Sequence, residues 1–287
     1  MFFIIGVITV LAAVFGGYAA MHGKLLVLFQ PFEFIIIFGA ACGAYIIATP
    51  KNIVLNTGKA LKDMMAGSPY SKQDFIELLS VMYAVFKLAK SKGMLAVEKH
   101  IEDPDNSPLF AKFEHFSKQH HAVVFLCDYL RLMTLGGDNP HQMEDLMDQE
   151  LEVHHEEMHK YSHAIQNMAD GMPALGIVAA VLGVIKTMGA ISEPPEVLGH
   201  MIGGALVGTF LGVFLSYGFI APIAASVKNV YDEESKYYVC IKSALIAFLN
   251  GYSPSIAVEF ARKSIIPQHR PTFYEVEDAL STVTSNE

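Results

Sequence analysis

The 287-residue chain is 52% hydrophobic with a mean hydropathy of +0.36, above the usual soluble globular protein, and its apolar residues are gathered in blocks. A formal net charge of −9 gives no support for nucleic-acid binding. Cys42, Cys127 and Cys240 lack metal or disulfide spacing, so their expected role is packing.

The first apolar block covers residues 2–20, and no Lys or Arg precedes it. A second block, 34–49, follows closely, so the sequence predicts an uncleaved membrane helix rather than a signal peptide. About 20 apolar residues rising ~1.5 Å each cover a hydrocarbon core of roughly 30 Å. Small residues are spaced one turn apart at Ala13 and Gly17 and at Gly39 and Gly43. The link 21–33, with Gln30-Pro31-Phe32, is expected to face outward. Residues 1–49 are therefore read as the first two spans.

Residues 50–169 read as a cytoplasmic helical domain. Phe75, Leu78, Leu79, Met82, Phe86 and Leu88 recur at helical spacing. Breakers at Gly67-Ser68-Pro69, Gly93, 103–108 and 136–140 divide the region into short helices, with no sheet expected. The acid- and histidine-rich 141–169 keeps helical spacing and is expected to run straight into the third span. Pro173 sits at that join. Either it opens a new helix with Asp170 as cap, or it lies within a continuous one.

Residues 170–227 organise the rest. Two apolar runs, 171–190 and 199–227, are joined by an acidic link and read as spans three and four. Gly204, Gly208 and Gly212 make a doubled G-x-x-x-G ladder that lets a neighbouring backbone approach closely. Thr209 stands within the ladder and Pro222 near the end of the run. Residues 228–287 read as a C-terminal cytoplasmic helix and a tail, whose polar end, 281–287, is expected to be mobile. The fold class is thus an all-α membrane protein: four transmembrane helices, a large helical cytoplasmic domain, and long helices continuing from membrane into cytoplasm. Of the 20 Lys and Arg, all but Lys24 and Lys186 fall in 51–160 or 228–270, which places both large polar segments and both termini in the cytoplasm.

On this reading no Asp or Glu lies within the four spans, although moving ions across a membrane needs an ionisable or coordinating group at depth. Lys186 is expected to snorkel to the interface, and Thr209 to bond back to its own helix. The missing carboxylate must come from another polypeptide, docked with further copies of this chain on the glycine ladders. His155-Glu156-Glu157-Met158-His159 is a literal H-E-x-x-H, the zinc-protease pattern, but its charged surroundings favour a solvated helix face. Residues 87–102, with Lys87, Lys90, Lys92, Glu98, Lys99 and Glu102, are either an ordinary solvated surface or a bipolar patch for a charged partner. No metal, cofactor or catalytic residue is expected.

Several stretches together resemble the MotA family of flagellar motor stator proteins, in its proton-coupled branch: Val14-Phe15-Gly16-Gly17-Tyr18, Asp128-Tyr129-Leu130-Arg131-Leu132, Pro173-Ala174-Leu175-Gly176-Ile177-Val178-Ala179-Ala180-Val181, Gly208-Thr209-Phe210-Leu211-Gly212 and Tyr217-Gly218-Phe219-Ile220-Ala221-Pro222. The resemblance implies a ring of five chains around a MotB dimer that supplies the proton-binding aspartate, in the bacterial inner membrane. It implies that Ala180 and Thr209 face the ion path, and that Pro173 and Pro222 couple ion passage to motion. It also implies that Lys90 and Glu98 contact the rotor switch protein FliG. Sodium-driven relatives tend to carry a hydroxyl at the position of Ala180, so its methyl favours protons. Position 90 is often arginine in that family; lysine keeps the charge and lacks the planar fork. A related ion-driven energiser of the cell envelope is the alternative, and a membrane zinc protease ranks last.

Overall fold

The computed structural model describes residues 2–285. In a bilayer each backbone polar group must bond within its own segment or to a neighbour, and the apolar blocks achieve this as helices. Thirteen α-helices and no strand occur among the described residues. They begin with α1 (Phe2–Ala20), α2 (Leu25–Leu28), α3 (Pro31–Ala48), α4 (Lys51–Ala66), α5 (Lys72–Lys92) and α6 (Met94–Ile101). The short α7 (Glu114–Ser117) and α8 (His120–Thr134) precede the long α9 (Pro140–Met188). Then come α10 (Pro195–Leu215), α11 (Ala221–Leu249), α12 (Pro254–Ser264) and α13 (Phe273–Ser285). Four of these segments are long and apolar enough to cross a membrane: Phe2–Ala20, Leu25–Ala48, Pro140–Met188 and Pro195–Leu249.

The chain divides into two compact units, one of Met1–Gly67 with Glu157–Asn229 and the other of Ser68–Glu156 with Val230–Glu287. In the first, α3 packs on α10, and a small core forms around Ile37, Ala41, Met172 and Ala179. Its apolar helices leave large side chains such as Ile8, Leu26 and Ile47 exposed, as expected of helices in contact with lipid. Pro173 lies inside α9, so the helix runs through the proline rather than restarting at it.

The second unit is built on α5. Ser71 and Asp74 close a reciprocal capping box at its start. The spaced residues Phe75, Leu78, Leu79, Met82 and Phe86 are all buried. Tyr237 stacks on Tyr70 at 3.8 Å and Phe248 on Phe86 at 4.4 Å, fixing the inner part of α11 against this core. α12 and α13 pack on α5 as well. Ser253 caps α12 with Pro254 in its first turn, and Val276 of α13 is buried in the core. Of the stretch expected to be mobile, residues 281–285 belong to α13, while Asn286 and Glu287 lie outside the described residues.

Candidate functional site

Three glycines bring α9 and α10 backbone to backbone. A Cβ on Gly176 would stand 2.8 Å from the Gly208 carbonyl oxygen, and one on Gly212 would stand 2.7 Å from that of Met172. A Cβ on Gly208 would meet the Ala180 backbone nitrogen at 3.0 Å and the Ala179 Cβ at 3.1 Å. The doubled ladder is therefore covered by this chain itself, Gly208 and Gly212 by α9 and Gly204 by Gln30 just before α3, and is not left as a docking groove for another polypeptide. Periodicity showed that a groove exists; it carries no information on which helix fills it. Ala180 and Thr209 are half-buried at the same level. Thr187 donates its hydroxyl back to the Gly183 carbonyl at 2.9 Å, the usual habit of a threonine in a membrane helix. Thr209 makes no such bond among the described residues, so its hydroxyl keeps its hydrogen-bonding capacity.

Pro173 has no N–H to give to the carbonyl of Ala169, four residues back. The buried hydroxyl of Ser216 donates to that oxygen at 2.7 Å instead. Ser216 opens a π-turn, Ser216–Ile220, immediately before Ala221 and Pro222. A π-turn inserts an extra residue in the hydrogen-bond ladder and is a regular way to absorb a proline. Thus the two proline-modified points of the helix pair are tied to each other by one side chain. Sequence reasoning singled out both prolines and missed Ser216. The signal available was a polar residue placed six before Pro222 in an otherwise apolar run.

The helix of the second span begins earlier than its apolar block and holds a carboxylate in its first turn. Pro31 occupies the first turn of α3, so Glu33 belongs to the helix rather than to the link before it. Its Oε2 is buried without a hydrogen-bond partner among the described residues. That oxygen stands 2.9 Å from the point a Gly208 Cβ would occupy, and Oε1 stands 3.5 Å from the corresponding point at Gly183. Lys186 follows Gly183 by three residues on α9, so it stands about one turn from the place where Oε1 lies.

In the second unit, Gly93 at φ +82° turns the chain between α5 and α6, a conformation that favours glycine. Lys90 lies in the last turn of α5 and Glu98 on α6; both are exposed and neither pairs with another side chain among the described residues. Glu102 differs, since Arg131 holds it at 2.6 Å while also reaching Asp128 at 2.7 Å. The bipolar patch thus contains committed charges beside uncommitted ones. His100, between them in sequence, is buried and bonded to the Ser107 hydroxyl at 2.9 Å. Burial, assisted by the charge of Lys99, lowers its proton affinity. Burial also pushes the Cys127 thiol up to about 12, in keeping with a packing role. In the H-E-x-x-H stretch, His155 lies 3.3 Å from the Ser235 hydroxyl and 3.7 Å from Asp232, while Glu156 is exposed.

Residues 4–93 match the family described as "Motility protein A N-terminal", and residues 116–239 match the "MotA/TolQ/ExbB proton channel family". The chain is 39% identical to motility protein A of Escherichia coli (strain K12) over 283 residues, which are 99% of this chain and 96% of that protein. Among solved structures it is similar to the C. jejuni MotAB structure, with a TM-score of 0.75 and 21% identity, covering 94% of this chain and 98% of that one. It is similar too to the flagellar MotAB stator complex from Bacillus subtilis, with a TM-score of 0.71 and 22% identity, covering 97% and 98%. At these identities the two structures show a shared fold.

Proposed function

The chain belongs to the MotA/TolQ/ExbB proton channel family, on its motility protein A side, and from that membership we propose that it is a stator subunit of the flagellar motor. Five copies surround a MotB dimer in the inner membrane, with both termini and the polar segments 50–169 and 228–287 in the cytoplasm. MotB, named with its partner in both similar structures, brings the proton-binding aspartate. Residues 1–49 and 170–227 hold the four spans.

The observation that carries this reading is the backbone contact of α9 with α10, with Ala180 and the unbonded Thr209 hydroxyl at its middle. These two residues are assigned to the ion path. A proton reaching the partner's aspartate removes a charge from a nearly dry interface, where burying an ion is costly. Charged and neutral states then favour different neighbours, and the ring steps. One elementary charge crossing 100 mV supplies about 2.3 kcal/mol, enough to bias two packed arrangements of similar energy. Pro173 and Pro222 are where the helices flex during a step, because an intrahelical bond is already missing at each. Lys90 and Glu98 pass the motion to FliG, their charges being uncommitted within the chain. The step moves a proton and leaves every bond between heavy atoms in place, so no catalytic residue or cofactor is assigned.

Reversing the charges tests the assignment. Lys90→Glu and Glu98→Lys are expected to cut swimming speed severalfold while leaving the amount of protein in the membrane unchanged. Full swimming in the double reversal would remove the rotor contact from these residues.

A further inference from the structure

We propose that Glu33 is a proton-binding carboxyl of the ion path carried by this chain itself, set in the wall beside Gly208 and Ala180 as a relay ahead of the partner's aspartate. The inference rests on the stator reading above. Four observations carry it. Glu33 sits within Leu25–Ala48, a segment long and apolar enough to cross a membrane. Its Oε2 is buried and bonded to nothing among the described residues. The carboxyl occupies room left by two glycines of two other helices, Gly183 of α9 and Gly208 of α10. Finally, the same point beside Gly208 lies 2.9 Å from Oε2 and 3.0 Å from the Ala180 nitrogen, so the acid stands level with the residue assigned to the path.

A structural acid in such a groove would be expected to find a donor, because a buried carboxylate without one is strongly disfavoured. An acid that exchanges protons needs the opposite, an oxygen kept free. The surrounding groups suit that role. Gly183, Gly204 and Gly208 present no side chain, and Gln30 of the preceding turn donates its amide to the Val27 carbonyl at 3.2 Å. The ionisable group nearest along the packed α9 is Lys186, one turn from Gly183. In the forward step a hydronium ion on the outer side releases its proton to the Glu33 carboxylate, forming an O–H bond and leaving water. In the next, that O–H bond breaks, the proton bonds to the partner's carboxylate, and Glu33 returns to its anionic form beside Lys186.

The test uses the assembled complex with MotB in lipid vesicles, with proton flux driven by a potassium diffusion potential and read by an internal pH dye. Glu33→Gln keeps the shape and loses the exchangeable carboxyl. It is expected to reduce flux about tenfold or more and to flatten its dependence on external pH, while co-purification with MotB is unchanged. Lys186→Met keeps the carboxyl and is expected to move the pH of half-maximal flux upward, since the neighbouring ammonium is gone. Replacing sodium by choline should alter neither result. Flux in Glu33→Gln within twofold of the unaltered complex, with the same pH profile, would overturn the proposal and leave Glu33 a packing residue. If Glu33→Gln fails to assemble, an unmoved pH profile in Lys186→Met overturns it equally. A complex of unaltered chains that conducts no protons would instead overturn the stator reading beneath it.

Discussion

Ser216 supplies to Ala169 the hydrogen bond that residue 173 would have made had it not been proline. The bond is buried, so deleting it leaves a carbonyl oxygen bare in an apolar setting, which costs about 1 kcal/mol in membrane proteins. Ser216→Ala is therefore expected to lower the thermal midpoint of the purified complex by a few degrees. Its dependence on Pro173 is the sharper check. In a Pro173→Ala background residue 173 regains an N–H that can reach Ala169, and Ser216→Ala should then cost much less. Equal costs in the two backgrounds, in a double-mutant cycle, would show that the serine does not stand in for the missing donor.

Helices are where the sequence was most and least informative. The 3–4 spacing of Phe75, Leu78, Leu79, Met82 and Phe86 identified the buried face of α5, because burial of one stripe is what that periodicity encodes. The glycine ladder identified a close approach but assigned it to other chains, whereas α9 covers Gly208 and Gly212 and Gln30 covers Gly204. Gly212→Ala is accordingly expected to destabilise the hairpin by about 1–3 kcal/mol, since its Cβ would stand 2.7 Å from the Met172 oxygen. Gly39→Ala, with nothing within 4 Å of its Cβ, should be tolerated, and equal thermal midpoints for the two variants would refute the distinction. The tail was misread for a different reason. Its polar end was expected to be mobile, but α13 runs on to Ser285 and is anchored by a contact far away in sequence. Lys72 holds Glu275 at 2.6 Å, and the Thr272 N–H and hydroxyl add to it. Together they lower the Glu275 carboxyl from about 4.5 to about 2. A depressed carboxyl stabilises the folded form above its ordinary range and loses that effect as pH falls through 4.5 toward 2. Hydrogen exchange in α13 should quicken over that window, and less so in Lys72→Met. Because both partners are partly exposed, added salt should weaken the difference.

For the molecule as a whole, four apolar blocks were legible because bilayer thickness fixes their length, and the all-helical class followed from the same constraint. Glu33 was not legible as part of a span, since a boundary drawn by hydropathy alone stops at the first charge. Pro31, suited to the first turn of a helix, was the cue that would have moved it. Placing a carboxyl in the wall changes what the chain brings to ion transport but not which ion it favours. Selecting sodium requires oxygen ligands that together replace its hydration shell. Ala180 offers a methyl group, Gly176, Gly208 and Gly212 offer no side chain, and Thr209 offers a single hydroxyl. A carboxyl and one hydroxyl suffice to exchange a proton. Cells relying on this stator should therefore swim at undiminished speed when sodium is replaced by choline, and stop within seconds of adding a protonophore. Swimming that survives the protonophore as long as sodium is present would show that the path carries sodium, and that the methyl of Ala180 does not decide the ion.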